Sequence, residues 1–189
     1  MGLEYKYNGK TYYRNNSKWV DADYFVVPVY LQNILNTMAY QDMDLSAMSY
    51  EEAKEEGDKC KKSETYPLAI KYYECAIEKA DSFKRVSVVL PRITSCYRKN
   101  KQPEKVVELL SKMKKLYGEE IINEVLLTSV AAAYCDLGEP ENALKCCKWA
   151  YRVLKMNTTE SSLELRNVFI RAHKMIDPDY SPEDFWEDK

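Results

Sequence analysis

Three segments of this chain repeat one another at a fixed step. Cys60, Tyr97 and Tyr134 stand 37 residues apart (134 − 97 and 97 − 60), and the trios Ala69/Val106/Ala143, Tyr73/Leu110/Cys147 and Ala76/Met113/Ala150 keep that interval. Each unit holds two runs of helical periodicity. A recurrence of about 20 to 50 residues marks units that bury their apolar faces only by stacking on a neighbour. Residues 49–157 are therefore predicted to be three helical hairpins in a repeat solenoid, a class built for binding.

The punctuation agrees with that division. Ser49 and Glu52 have the spacing of a capping box and fix the start of the first repeat helix. Pro67, Pro103 and Pro140 each fall one to three residues before the second helix of a unit gets under way, where the missing N–H costs nothing. Gly118 and Gly138 stand where helices should stop. Pro91 is the exception: it lies inside the first helix of the second unit and predicts a kink or a late start there. Beyond residue 157, Leu163, Val168, Phe169, Ala172 and Ile176 outline one more amphipathic helix. It is expected to cap the solenoid, with Glu160, Glu164, Arg166 and Lys174 on its polar side.

The first 48 residues follow other rules. Residues 4–7, 10–14 and 18–20 are short aromatic-rich runs, and Asn8-Gly9 between the first two is a strong hairpin signal, because both central residues of a type I′ turn need positive φ. A three-stranded meander is predicted over residues 1–24, with an aromatic face that must cover something, since so small a sheet is marginal alone. Pro28 then opens a helix with an apolar stripe of Leu31, Ile34, Leu35 and Met38. Residues 25–48 are this helix and a linker. Residues 49–176 are the repeats and their cap, and 177–189 are an acidic tail carrying Tyr180, Phe185 and Trp186.

Charge and composition narrow the function. Twenty-eight Lys and Arg against 30 Asp and Glu leave a formal charge of −2, which argues against nucleic acid as the main partner because phosphate binding relies on a basic excess. No apolar run approaches the length of a membrane span, and the start lacks a signal-peptide core. A cytoplasmic protein is expected. Its six cysteines show no C-x-x-C spacing and are expected to act as small packing hydrophobes. No metal, cofactor or catalytic residue is expected. His173 is the lone histidine, there is no phosphate loop or nucleophile elbow, and paired acids such as Glu51-Glu52 and Glu119-Glu120 are adjacent rather than facing.

The repeats resemble the tetratricopeptide family, whose pattern sets a small residue three before an aromatic in the first helix, then Ala and an aromatic four later in the second. Here these read Gly57-x2-Cys60 with Ala69-x3-Tyr73, Thr94-x2-Tyr97 with Val106-x3-Leu110, and Ala131-x2-Tyr134 with Ala143-x3-Cys147. The Trp and the closing Pro of the pattern are absent, and Val106 stands where Ala is expected.

In that family the first helix of each unit lines a concave groove, so the resemblance implies a lining. The first unit contributes Lys54, Asp58, Lys61 and Lys62. The second contributes Arg92, Ser95, Arg98 and Lys99. Val125, Thr128, Ser129, Ala132, Cys135 and Asp136 complete the lining in the third. Such a surface favours a protein or peptide partner with acidic and hydrophobic parts, a second copy of the chain and its own acidic tail included. The carboxylate clamp of the family's chaperone-tail adaptors is not matched: Lys54 is kept, but Asp58, Arg92, Val125 and Ser129 fill the other four places. Two rival readings remain. One is a dedicated secretion chaperone of similar repeat number. The other is a wall- or carbohydrate-binding module, because small hairpins with Tyr, Gly and Trp resemble the wall-binding repeats of secreted bacterial proteins.

Overall fold

The computed structural model describes residues 4–15, 18–42, 44–157 and 162–181, the side chains of 40–42 and 155–157 excepted. It is mainly helical, with a small antiparallel sheet at the N-terminal end. Two compact units divide the chain, Met1–Val89 and Leu90–Lys189.

In the first unit, β1 (Glu4–Tyr7), β2 (Lys10–Asn15) and β3 (Lys18–Val20) form the expected meander in that order. Tyr5 faces Tyr12 and Tyr7 faces Lys10 across the turn. Asn8 (φ 48°) and Gly9 (φ 74°) make that turn with both central residues left-handed. What the aromatic face covers is α1 (Val29–Asp42). Trp19 is fully buried, and the Tyr5 ring meets it edge-on at 6.4 Å. Its indole Nε1 donates to Asn36 Oδ1 at 2.8 Å. The Gln32 side-chain amide does the work of a further strand. Its Oε1 accepts from Trp19 N at 2.7 Å, and its Nε2 donates to Trp19 O at 2.8 Å. Burying an indole this fully stabilises by roughly 3 kcal/mol, and the paired amide keeps the desolvated backbone satisfied.

The buried stripe of α1 is Leu31, Leu35 and Ala39, with Ile34 and Met38 half-buried beside it. α1 packs on α3 (Tyr66–Lys79), which pairs extensively with α2 (Tyr50–Lys62). Ser49 caps α2 through the reciprocal bonds of a capping box with Glu52. Gly57 explains the closeness of α2 and α3: a Cβ there would lie 2.7 Å from two ring carbons of Tyr73. Arg85 lies over the Tyr50 ring at 4.7 Å and pairs with Glu51 and Asp81.

Helix α4 (Phe83–Lys99) spans the division between the units. It corrects one expectation, since the helix begins eight residues ahead of Pro91 rather than late. Buried residues on either side of the proline, Val86, Val89 and Leu90 before it and Ile93, Cys96 and Tyr97 after it, give the helix reason to continue through a missing hydrogen bond. Thr94 Oγ1 also donates back to Leu90 O at 2.9 Å.

The second unit continues with α5 (Pro103–Tyr117), a 3-10 turn (Gly118–Ile121), α6 (Glu124–Leu137), α7 (Pro140–Asn157) and α8 (Leu163–Ile176). Pro103 and Pro140 open their helices, and Gly118 (φ 68°) and Gly138 (φ 79°) close the preceding ones. Asn123 and Ser162 cap α6 and α8 with side-chain bonds to Leu126 N and Leu165 N. Leu127, Ala131, Ala143, Cys147, Ala150, Leu165 and Phe169 form one core among α6, α7 and α8. Small residues there let the helix backbones approach, and the larger ones fill what is left. The apolar face of α8 differs from the expected one. Leu165 is buried with Val168, Phe169 and Ala172, whereas Leu163 and Ile176 are exposed. Glu164, Arg166 and Lys174 are exposed as expected, and Glu160 lies outside the described residues.

The trios at 37-residue spacing fall on matching helices: Cys60, Tyr97 and Tyr134 on α2, α4 and α6, the others on α3, α5 and α7. All are buried except Tyr134 and Leu110, which are half-buried. The chain after α8 turns at Asp177 and lays the Tyr180 ring on His173, 4.2 Å between centroids and 13° from parallel. His173 thus packs between Phe169 and Tyr180. The tail's other aromatics, Phe185 and Trp186, lie outside the described residues.

Candidate binding site

The second unit holds a charged pocket of ≈ 690 Å³ lined by Ser95, Arg98, Lys99, Lys101, Pro103, Glu104, Asp136 and Arg171. Four helices contribute to it, α4, α5, α6 and α8, and three of them are tied together by ion pairs. Arg98 Nε, from the last turn of α4, donates to Asp136 Oδ2 at 2.7 Å. Arg171 Nη1, from α8, donates to Asp136 Oδ1 at 2.7 Å. Asp136, near the end of α6, is the shared acceptor.

Burial alone would raise the Asp136 carboxyl, but the hydrogen bonds and charges of Arg98 and Arg171 outweigh it and hold the group below the usual carboxylate range. The arrangement is self-consistent. Two guanidiniums bonded to one carboxylate repel each other, and the carboxylate between them offsets that. Arg98 meets Asp136 through Nε alone, so its Nη1/Nη2 end is not committed to that carboxylate. Lys101 sits in the turn after α4 with φ 60°, a conformation that costs a non-glycine residue about 1 kcal/mol. Counting formal charge, Arg98, Lys99, Lys101 and Arg171 against Glu104 and Asp136 leave the pocket at +2.

A second hollow of ≈ 470 Å³ lies beside it, lined by Glu104, Val107, Glu108, Ser111, Tyr134 and Leu137. Glu104 borders both. Basic and apolar recesses therefore adjoin on one unit.

Of the expected groove residues, Ser95, Arg98 and Lys99 come together in the charged pocket, with Asp136 opposite. Arg92 and Ser129 are half-buried and Val125 is 45% exposed, but none of these three lines it. Thr128, Ala132 and Cys135 are buried, and Thr128 bonds Glu124 of its own helix at 3.4 Å. These three face the packed interior of α6.

In the first unit Lys54 is tied to Asp58 at 2.9 Å, and Asp58 also accepts from Tyr73 Oη at 2.7 Å. Those two support the α2–α3 hairpin, while Lys61 is half-buried and Lys62 exposed. Arg171, Lys101 and Glu104 were not foreseen. Arg171 follows Asp136 by 35 residues on a helix read only as a cap, so the 37-residue step passes over it.

The six cysteines are free thiols, five of them buried in helices and Cys146 half-buried. Burial pushes Cys146 up to about 11 and Cys147 up to about 12, as expected of packing residues. Among the described residues no cluster of His, Cys, Asp and Glu is arranged to hold a metal ion, and no helix is long and apolar enough to cross a membrane.

Another exposed feature belongs to the first unit. Tyr24, Phe25, Val26, Val29 and Tyr30 are all more than half exposed. Asp21 presents them through a turn in which its Oδ1 accepts from Asp23 N and Phe25 N. No protein-family model matches this sequence. No curated protein matches it significantly.

Proposed function

We propose that this protein is a non-catalytic scaffold of tetratricopeptide-like helical hairpins that holds an acidic, partly apolar peptide of a protein partner. One observation carries the reading: the +2 pocket of Arg98, Lys99, Lys101 and Arg171 adjoins the hollow of Val107, Tyr134 and Leu137. Opposite charge steers an acidic segment toward the first, and burial of an apolar side chain in the second holds it. Buried free thiols suit the reducing cytoplasm, where we place the protein.

The rival carbohydrate reading loses its main residue, because a sugar needs an open aromatic face and Trp19 has none. Of the hairpin aromatics, Tyr12 is buried too, and Tyr13 stacks on Tyr24 at 6.4 Å.

The test uses fluorescence anisotropy with a labelled peptide alternating Glu or Asp with Leu, on the full chain. Expected are binding that weakens with salt and loss of binding in Arg98→Glu/Arg171→Glu. Equal binding by that variant would place the contact elsewhere and end the proposal.

A further inference from the structure

We infer that the anion this pocket is built to hold is a phosphate carried on a serine, threonine or tyrosine of the partner peptide. The inference rests on the peptide-binding reading above and names the chemistry of its charged half.

The donor set is larger than a carboxylate can use. A carboxylate offers two oxygens in one plane and is satisfied by one guanidinium fork. Here Arg98, Arg171, Lys99, Lys101 and Ser95 all line one recess. A phosphate monoester brings three acceptor oxygens in a tetrahedral array and a charge of about −1.5 to −2 at neutral pH. That charge matches the +2 of the lining, and that geometry engages donors arriving from different directions. Arg98, Lys99 and Ser95 come from α4, Lys101 from the following turn and Arg171 from α8. The pocket is a recess of ≈ 690 Å³ rather than a flat basic patch, so it suits a bulky anionic side chain entering end-on.

Asp136 distinguishes the site further. A carboxylate inside an anion pocket lowers its potential, and a surface that only attracted acidic segments would do better without one. Bound to one nitrogen of each arginine, at 2.7 Å in both cases, it sets two guanidiniums at fixed positions before the ligand arrives. Preorganised forks favour an anion whose oxygens are themselves fixed in space. Asp136 is thus a positioning residue for the two arginines.

The test compares three labelled peptide pools, alike in random flanks and differing only in a central Ser, Glu or phosphoserine, by anisotropy on the full-length protein. The phosphoserine pool should bind about tenfold or more tighter than the Glu pool, and inorganic phosphate should compete it away. Arg98→Gln/Arg171→Gln should abolish the difference, while Lys112→Glu on the exposed side of α5 should leave it. Circular dichroism confirms that each variant is folded. Equal affinity for the Glu and phosphoserine pools overturns the phosphate inference and leaves the acidic-peptide reading standing. Absence of binding by either pool, or binding indifferent to both arginines, overturns the two together.

Discussion

Gly57→Ala is the sharpest test of how the first unit is assembled. In most helices that exchange stabilises by about 1 kcal/mol, because alanine restricts the unfolded chain and suits the helix better. Here the added methyl would lie 2.7 Å from Tyr73 Cδ1 and Cε1 and 3.1 Å from Cζ. The ring cannot simply swing away, since Tyr73 is fully buried and its hydroxyl is held by Asp58 Oδ1 at 2.7 Å. Forcing a methyl group into a filled core costs about 1–3 kcal/mol, and a ring fixed at both ends puts this case at the upper part of that range. Net destabilisation of roughly 2 kcal/mol is expected after the helical gain is subtracted. Urea unfolding followed by Trp19 fluorescence, in a Trp149→Phe/Trp186→Phe background so that one tryptophan reports, measures it. The same exchange in a Tyr73→Leu background should be neutral or stabilising. A Gly57→Ala protein as stable as the parent, or one equally weakened in both backgrounds, would refute the close-approach argument.

Other positions give independent checks. Trp19→Ala should cost about 3–5 kcal/mol, because it also strands Asn36 Oδ1, and thermal melts should show the first unit losing stability. Glu64 and Lys101 both hold left-handed backbone (φ 58° and 60°), so Glu64→Gly and Lys101→Gly should each stabilise by up to about 1 kcal/mol. Only Lys101→Gly should also weaken anion binding, which titration of the two variants with the phosphoserine pool would separate. The Asp136 pKa is lowered in the folded state, so its contribution is complete above the unfolded value near about 4 and is lost as pH falls through the folded one. Asp136→Asn should therefore be less stable than the parent at neutral pH, with the gap closing in acid denaturation. With Cys146 at about 11, only about one thiol in a thousand is ionised at pH 8. A thiolate-specific reagent should label the native chain slowly and all six cysteines quickly in denaturant.

Local signals were legible wherever the physics is local. Asn8-Gly9, the Ser49/Glu52 box, Pro103, Pro140 and Gly138 each act within a few residues, and each does in the structure what its chemistry dictates. Pro91 does not delay the start of α4, because the force that carries the helix past it is burial on both sides, which a single-residue rule does not weigh. Thr128 and Cys135, expected on a groove lining, are buried, and the reason is related. Repeat position assigns a residue to a helix, but rotation of that helix decides between groove and core, and α6, lined with Ala131, Ala132 and Ala133, is buried over most of its surface.

The charged pocket shows the same limit from the other side. Arg98 and Asp136 were readable as members of one lining because they occupy first helices of consecutive units. The group that makes them a site is Arg171, one helix further on, where the interval has shortened to 35 residues. A cap that only shielded the end of a core would need solvated charge, and Glu164, Arg166 and Lys174 supply it. Arg171 instead spends its charge on Asp136, a residue of another helix. On the proposed reading that ion pair brings α8 into the binding surface, so Arg171→Gln should weaken ligand binding much as Arg98→Gln does, whereas Arg166→Gln on the same helix should not. Anisotropy titrations of the three single variants decide it, and equal losses from Arg166 and Arg171 would return α8 to the role of a plain cap.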